Sequence, residues 1–124
     1  FSYPWSYQDS QDQIAEFEHK FAAAGREKNL YFHRETVYYS IEGRKMEMMT
    51  ISSRDGITDE RETIPEGDSQ GLFPDAVSDP ARRPYRFNPS KKVVVFTSRV
   101  HPGETPGSHV LNGALALLVD LKSE

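Results

Sequence analysis

Cysteine is absent from the 124 residues, which excludes a disulfide framework, a thiolate metal site and a cysteine nucleophile, and fits a reducing compartment. Any metal must then be held by histidine and carboxylates. An excess of positive charge is also missing: 15 Lys and Arg stand against 19 Asp and Glu, for a net charge of −4. A dedicated nucleic-acid binder needs the opposite balance, so no nucleic-acid partner is expected. Long apolar runs are missing too. The longest, Val110 to Leu121, is interrupted by Asn112, Gly113 and Asp120 and falls short of the roughly 20 residues of a membrane span. The opening Phe1-Ser2-Tyr3-Pro4-Trp5-Ser6-Tyr7 has no basic n-region ahead of an apolar stretch, so it does not read as a secretory signal. A soluble protein with no membrane partner is expected. There is no initiating Met, and no Gly or Pro stops the helix pattern that runs into Leu121-Lys122-Ser123-Glu124; a piece of a longer chain is the expectation.

What is present is unevenly distributed. Residues 1–79 hold 8 bases and 16 acids, residues 80–104 hold 6 bases and 1 acid, and residues 105–124 hold 1 base and 2 acids. The basic block is Arg82, Arg83, Arg86, Lys91, Lys92 and Arg99. Ser10-Gln11-Asp12-Gln13 has the form of a capping box, with Ile14, Phe17 and Phe21 at helical spacing and Gly25 beyond, predicting a helix over about 10–24. Tyr31 to Ile41 and Lys45 to Ser52 are rich in Val, Ile, Thr, Tyr and Phe and are separated by Glu42-Gly43-Arg44, the pattern of a hairpin. Periodicity then stops: five of the eight prolines fall between residues 53 and 90, predicting a long Pro-rich loop. Lys92-Val93-Val94-Val95-Phe96-Thr97 predicts a strand buried on both faces. Thr105 as N-cap and Pro106 after it open a second helix carrying Val110, Leu111, Ala114, Leu115, Leu117, Leu118 and Leu121. The fold class is therefore α/β, a mixed sheet flanked by helices.

Between that strand and that helix lies Ser98-Arg99-Val100-His101-Pro102-Gly103-Glu104-Thr105. An imidazole and a carboxylate three residues apart can meet one Zn²⁺ at about 2.0–2.2 Å each if the backbone between them turns tightly, which Pro-Gly favours. Sites of this kind sit at the carboxyl end of a strand in α/β units. The pair His101 and Glu104 equally suits two polar residues at a helix start, where the dipole favours a carboxylate, and spacing alone leaves both readings open.

The wider sequence narrows the choice. Ser98-Arg99-Val100-His101-Pro102-Gly103-Glu104-Thr105-Pro106 resembles the zinc motif of the cytosolic carboxypeptidases, a branch of the funnelin-type zinc metallocarboxypeptidases. Phe1-Ser2-Tyr3-Pro4-Trp5-Ser6-Tyr7 is similar to the aromatic opening of their catalytic domain. Tyr39-Ser40-Ile41-Glu42-Gly43 and Met49-Thr50-Ile51-Ser52 agree with its hairpin. Leu72-Phe73-Pro74-Asp75 and Arg83-Pro84-Tyr85-Arg86-Phe87 look most like the type-five branch of the family. The resemblance spans essentially the whole chain. It implies residues 1–9 as an aromatic linker from a preceding domain, and residues 10–124 as the N-terminal part of the catalytic domain, with the Pro-rich loop at 53–90.

The resemblance further implies that His101 and Glu104 bind one Zn²⁺, with a third protein ligand downstream of residue 124. The substrate-binding arginines and the general-base glutamate of the family also lie downstream, so no catalytic residue is expected within 1–124 and these residues alone are expected to be inactive. His109, the one other histidine after the motif, is expected to be packed or solvated, and His19 and His33 to be surface or satisfied residues. Arg99 is the member of the basic block expected to face substrate. The implied reaction is hydrolysis releasing glutamates from acidic tails of tubulin or other polyglutamylated proteins, branch-point glutamates in the type-five branch. The implied location is the cytoplasm, microtubules and nucleus included. The alternative is a non-catalytic binding module or pseudoenzyme that recognises acidic tails.

Overall fold

The computed structural model describes residues 3–25, 27–64 and 71–119. In chain order the elements are α1 (Tyr7–Ala24), β1 (Leu30–Tyr39), β2 (Lys45–Ser53), β3 (Ile57–Arg61), α2 (Pro74–Ser78), a 3-10 turn (Pro80–Arg82), β4 (Tyr85–Phe87) and α3 (Thr105–Leu118). They form two compact units, one of residues 1–28 with 93–124 and one of residues 29–92. The α/β class is found, with two small antiparallel sheets, β1-β2 and β3-β4. No described helix is long and apolar enough to cross a membrane.

In the first unit, α1 begins one turn earlier than the sequence pattern predicts. The N-cap is Ser6, whose hydroxyl accepts from the Asp9 amide while the Asp9 carboxylate accepts from the Ser6 amide at 2.8 Å. Both Ser6-x-x-Asp9 and Ser10-x-x-Gln13 fit the box pattern, and the earlier one is used because its carboxylate makes charge-assisted bonds. These bonds hold the Asp9 carboxyl below its ordinary range. Ser10 instead accepts a 2.8 Å hydrogen bond from Trp5 Nε1. Ile14, Phe17 and Phe21 are buried at the predicted spacing, and α3 buries Ser108 and Leu115. Leu121, at the predicted end of that helix, lies outside the described residues.

The strand predicted over 92–97 is not formed. Val93, Val94, Val95 and Phe96 are all exposed, and no described strand pairs with this segment. An apolar β-branched run becomes a strand only when neighbouring strands take its amide and carbonyl groups.

The second unit is built on the predicted hairpin. β1 and β2 pair from Leu30↔Ser53 to Tyr39↔Lys45, with the register shifting by one between Thr36 and Tyr38. Gly43 takes φ +74 in the connection, a conformation glycine adopts without strain, and its amide donates to the Ser40 carbonyl. Val37, the extra residue at the register shift, uses its carbonyl to accept from the Phe73 amide at 2.8 Å, which ties the start of α2 to the sheet. On the other face of β1, Arg34 makes a two-pronged ion pair with Glu47, Nε to Oε1 at 2.7 Å and Nη2 to Oε2 at 3.0 Å.

Among the described residues of the predicted loop at 53–90, two short strands and two short helical turns are formed. β3 and β4 pair antiparallel between Ile57↔Phe87 and Arg61↔Tyr85, and Tyr31 joins them to the hairpin through ring contacts with Tyr85 and Phe87. The Tyr31 hydroxyl accepts from the Tyr85 amide at 3.1 Å. Pro65, within that predicted loop, lies outside the described residues.

Tyr31, His33 and Glu35 share one face of β1 by the two-residue period of a strand. His33 was expected to be satisfied or at the surface, yet its Nε2 is buried with no hydrogen-bond partner among the described residues. Burial, with Arg61 nearby, lowers the His33 imidazole below its ordinary 6.5. Glu35 is buried, and burial together with the charge of Glu62 raises its carboxyl above the ordinary 4.5. The folded state therefore keeps a proton on Glu35 that the unfolded chain has released. The resulting stability is complete below pH 4.5 and is lost as pH rises through the raised value. His33 acts in the opposite sense, with stability gained as pH rises towards 6.5. Glu35→Gln is expected to remove the Glu35 part of this dependence and to stabilise β1 by about 1 kcal/mol at pH 7, because a buried carboxylate is replaced by a neutral amide. Hydrogen exchange of the β1 amides between pH 5 and 8 measures it; an unchanged pH dependence would contradict the assignment.

Candidate metal centre

The donor pair sits on a tight turn at the start of α3. The Glu104 amide donates to the His101 carbonyl at 3.1 Å and the Thr105 amide to the Gly103 carbonyl at 3.0 Å, so Pro102-Gly103 brings the two side chains to one side of the turn. Glu104, not Thr105, is the N-cap of α3, and its side chain makes no cap hydrogen bond. The carboxylate is turned to His101 instead, with Nδ1 and Oε1 2.9 Å apart. Both side chains are open, His101 77% and Glu104 58% exposed.

A neutral imidazole nitrogen and a carboxylate oxygen are ordinary zinc donors, and two such atoms bonded tetrahedrally to one ion at about 2.0–2.2 Å stand about 3.3–3.6 Å apart. The observed pair, at the 2.9 Å of a hydrogen bond, would exchange that bond for the ion by opening about half an ångström. No group of three His, Asp or Glu side chains able to hold a metal occurs among the described residues. His109 does not join the pair: its Nε2 is 2.7 Å from the Tyr3 carbonyl oxygen, and its ring stands edge-on to Trp5 at 5.6 Å.

The chain between residues 26 and 123 matches the zinc carboxypeptidase family. The protein belongs to this family. Its relatives include cytosolic carboxypeptidase-like protein 5 of Bos taurus, 41% identical over 124 residues, and of Homo sapiens, 38% identical over 124 residues; each alignment covers 96% of this chain and 13% of the relative. Cytosolic carboxypeptidase 6 of Homo sapiens is 29% identical over 119 residues, covering 96% of this chain and 17% of the relative. The chain thus spans well under a fifth of the length of these relatives. Zinc carboxypeptidases are zinc-dependent hydrolases.

Arg99, expected to face substrate, directs its guanidinium at backbone: Nε donates to the Pro102 carbonyl at 2.9 Å and Nη1 to the Trp5 carbonyl. Most of the basic block is similarly engaged. Arg82 pairs with Asp75, and Arg86 with Glu60 and Glu62. Arg83 donates to the Ala76 carbonyl, and Lys91 donates to the carbonyls of Ser53 and Asp55. The carboxylates offset the charges of Arg82 and Arg86, whereas the carbonyl bonds of Arg83 and Lys91 hold those cations in place with their charge intact.

Trp5 and His109 pack beside the donor turn without supplying a ligand. Trp5 enters through a backbone carbonyl, which every residue possesses, and His109 through contacts more than one hundred residues away in sequence; neither leaves a local sequence signal.

Proposed function

We propose that this chain supplies the zinc-binding turn of a cytoplasmic metallocarboxypeptidase that removes glutamates from the acidic tails of tubulin or other polyglutamylated proteins. The observation that carries the reading is the His101 Nδ1–Glu104 Oε1 pair, 2.9 Å apart and open to solvent, on a chain of the zinc carboxypeptidase family. His101 and Glu104 would hold the ion, leaving positions for a further protein ligand and for substrate. When bound, zinc polarises a carbonyl and lowers the pKa of water towards 7.

His101 serves such an ion in its neutral form, and Glu104 as the carboxylate, so neither donor has to lose hydrogen bonds to a buried partner when it turns to the metal. Their exposure keeps the turn accessible to a chain terminus. The cytoplasmic location is supported by kinship with proteins named cytosolic carboxypeptidases, and the glutamate specificity by the resemblance of the sequence motifs to that family.

The test is release of free glutamate by the full-length protein from peptides ending in a glutamate chain or carrying a branch-point glutamate, beside peptides ending in alanine or lysine. Glutamate release that stops with 1,10-phenanthroline and returns with zinc is expected. A zinc-loaded full-length protein that binds the glutamylated peptides without releasing glutamate would overturn the reading in favour of a binding module.

A further inference from the structure

Arg99 stands two residues before His101 with φ +58. A non-glycine residue in the left-handed region costs about 1 kcal/mol or more and persists only where its surroundings hold it there. Here the side chain does the holding. Nε donates to the carbonyl of Pro102, the residue that follows His101, so the Arg99 side chain spans the backbone of the first donor. Nη1 donates to the carbonyl of Trp5, 94 residues earlier in the chain. Trp5 is itself fixed, by its indole N–H to Ser10 and by the ring of His109, and His109 engages the Tyr3 carbonyl from the first turn of α3. The segment Tyr3-Pro4-Trp5 is therefore fastened at two carbonyls, one by a residue before the donor turn and one by a residue after it. Gly107 of α3 also approaches the segment before the turn closely, since a Cβ there would stand 3.1 Å from Ser98 Oγ and 3.6 Å from the Arg99 amide nitrogen.

We propose that Arg99 is a positioning residue that clasps the aromatic segment Tyr3-Pro4-Trp5 to the His101–Glu104 turn and holds His101 ready for the metal. The proposal rests on the zinc reading of that turn. It makes the aromatic segment part of the scaffold of the site, where the sequence suggests a linker. It also gives Arg99 a role other than binding a substrate carboxylate: two different nitrogens of the planar guanidinium reach two carbonyls, which a lysine ammonium on a flexible stem cannot hold with the same geometry.

The experiment is zinc affinity of the full-length protein, measured without substrate by competition with a chromophoric chelator, for wild type, Arg99→Lys, Arg99→Gly, Lys92→Gln and His101→Ala. Arg99→Gly removes the clasp and leaves the left-handed backbone sterically allowed though freer; Arg99→Lys keeps the side chain's restraint on the backbone and the charge and removes only the forked guanidinium. Both are expected to weaken zinc binding 10- to 100-fold, the range for groups that orient a metal ligand, with Lys92→Gln within 2-fold of wild type. Amide exchange in the metal-free proteins supplies a second readout: segments 3–10 and 98–105 should exchange faster in Arg99→Lys, with the β1 and β2 amides unchanged. Wild-type zinc affinity in both Arg99 variants, or unchanged exchange in those two segments, overturns the clasp. Higher KM with unchanged zinc affinity would do the same and return Arg99 to substrate binding. If His101→Ala binds zinc like wild type, the metal reading of the turn fails and the proposal falls with it; if only the Arg99 variants bind like wild type, the clasp alone fails.

Discussion

Replacing His101 by alanine in the full-length protein is expected to weaken zinc binding at least 100-fold and to take glutamate release below detection, while leaving the thermal stability of the metal-free protein within about 0.5 kcal/mol of wild type. The separation follows from where the residue sits. Its side chain is 77% exposed and its contact is with Glu104, itself 58% exposed, so removing the ring takes away a donor without opening a cavity in any core. Glu104→Gln should fall between the two: the amide oxygen still reaches His101, but the charge that binds a divalent cation is gone. Chelator competition and a glutamate-release assay measure both effects. A His101→Ala protein that loses stability in step with activity would mean that the turn is structural.

The second large effect lies far from the site. Arg34 and Glu47 form a bidentate pair whose side chains are 19% and 5% exposed. Burial makes such a pair costly to break from one side, because the remaining charge cannot be resolvated. Arg34→Met is expected to destabilise the β1-β2 hairpin by about 3–5 kcal/mol, read as faster exchange of its amides by local opening. The double replacement Arg34→Met, Glu47→Leu is expected to recover most of that loss, since two apolar side chains of similar size need no counter-charge. A single-variant loss below about 1 kcal/mol would be the behaviour of a solvent-exposed pair and would contradict the burial of Glu47.

The parts of this structure that were legible in the sequence are those set by local chemistry. The β1-β2 hairpin is announced by two β-rich runs around Gly43, and the glycine does take the positive φ the turn needs. Ile14, Phe17 and Phe21 bury at the spacing that marks them. The start of α1 was misplaced by one turn because two serines four residues apart both head capping patterns, and the choice was made by an aspartate at position 9. β3 escaped notice because Thr58-Asp59-Glu60-Arg61 is polar throughout and β4 is only three residues long; their pairing depends on Tyr31 and Phe87, distant in sequence. The opposite error occurred at Val93–Phe96, where strong β propensity has no described strand to pair with. The donor turn was readable as a motif, and kinship with the zinc carboxypeptidases agrees with it. The Arg99 clasp was not readable, because its acceptors are backbone carbonyls.

The most direct measurement is a crystal structure of the zinc-loaded full-length protein with anomalous data collected on both sides of the zinc absorption edge. One zinc peak is expected within about 2.0–2.2 Å of His101 Nδ1 and of a Glu104 carboxylate oxygen. Zinc bound elsewhere, with His101 and Glu104 still paired to each other in the absence of metal, would contradict this assignment.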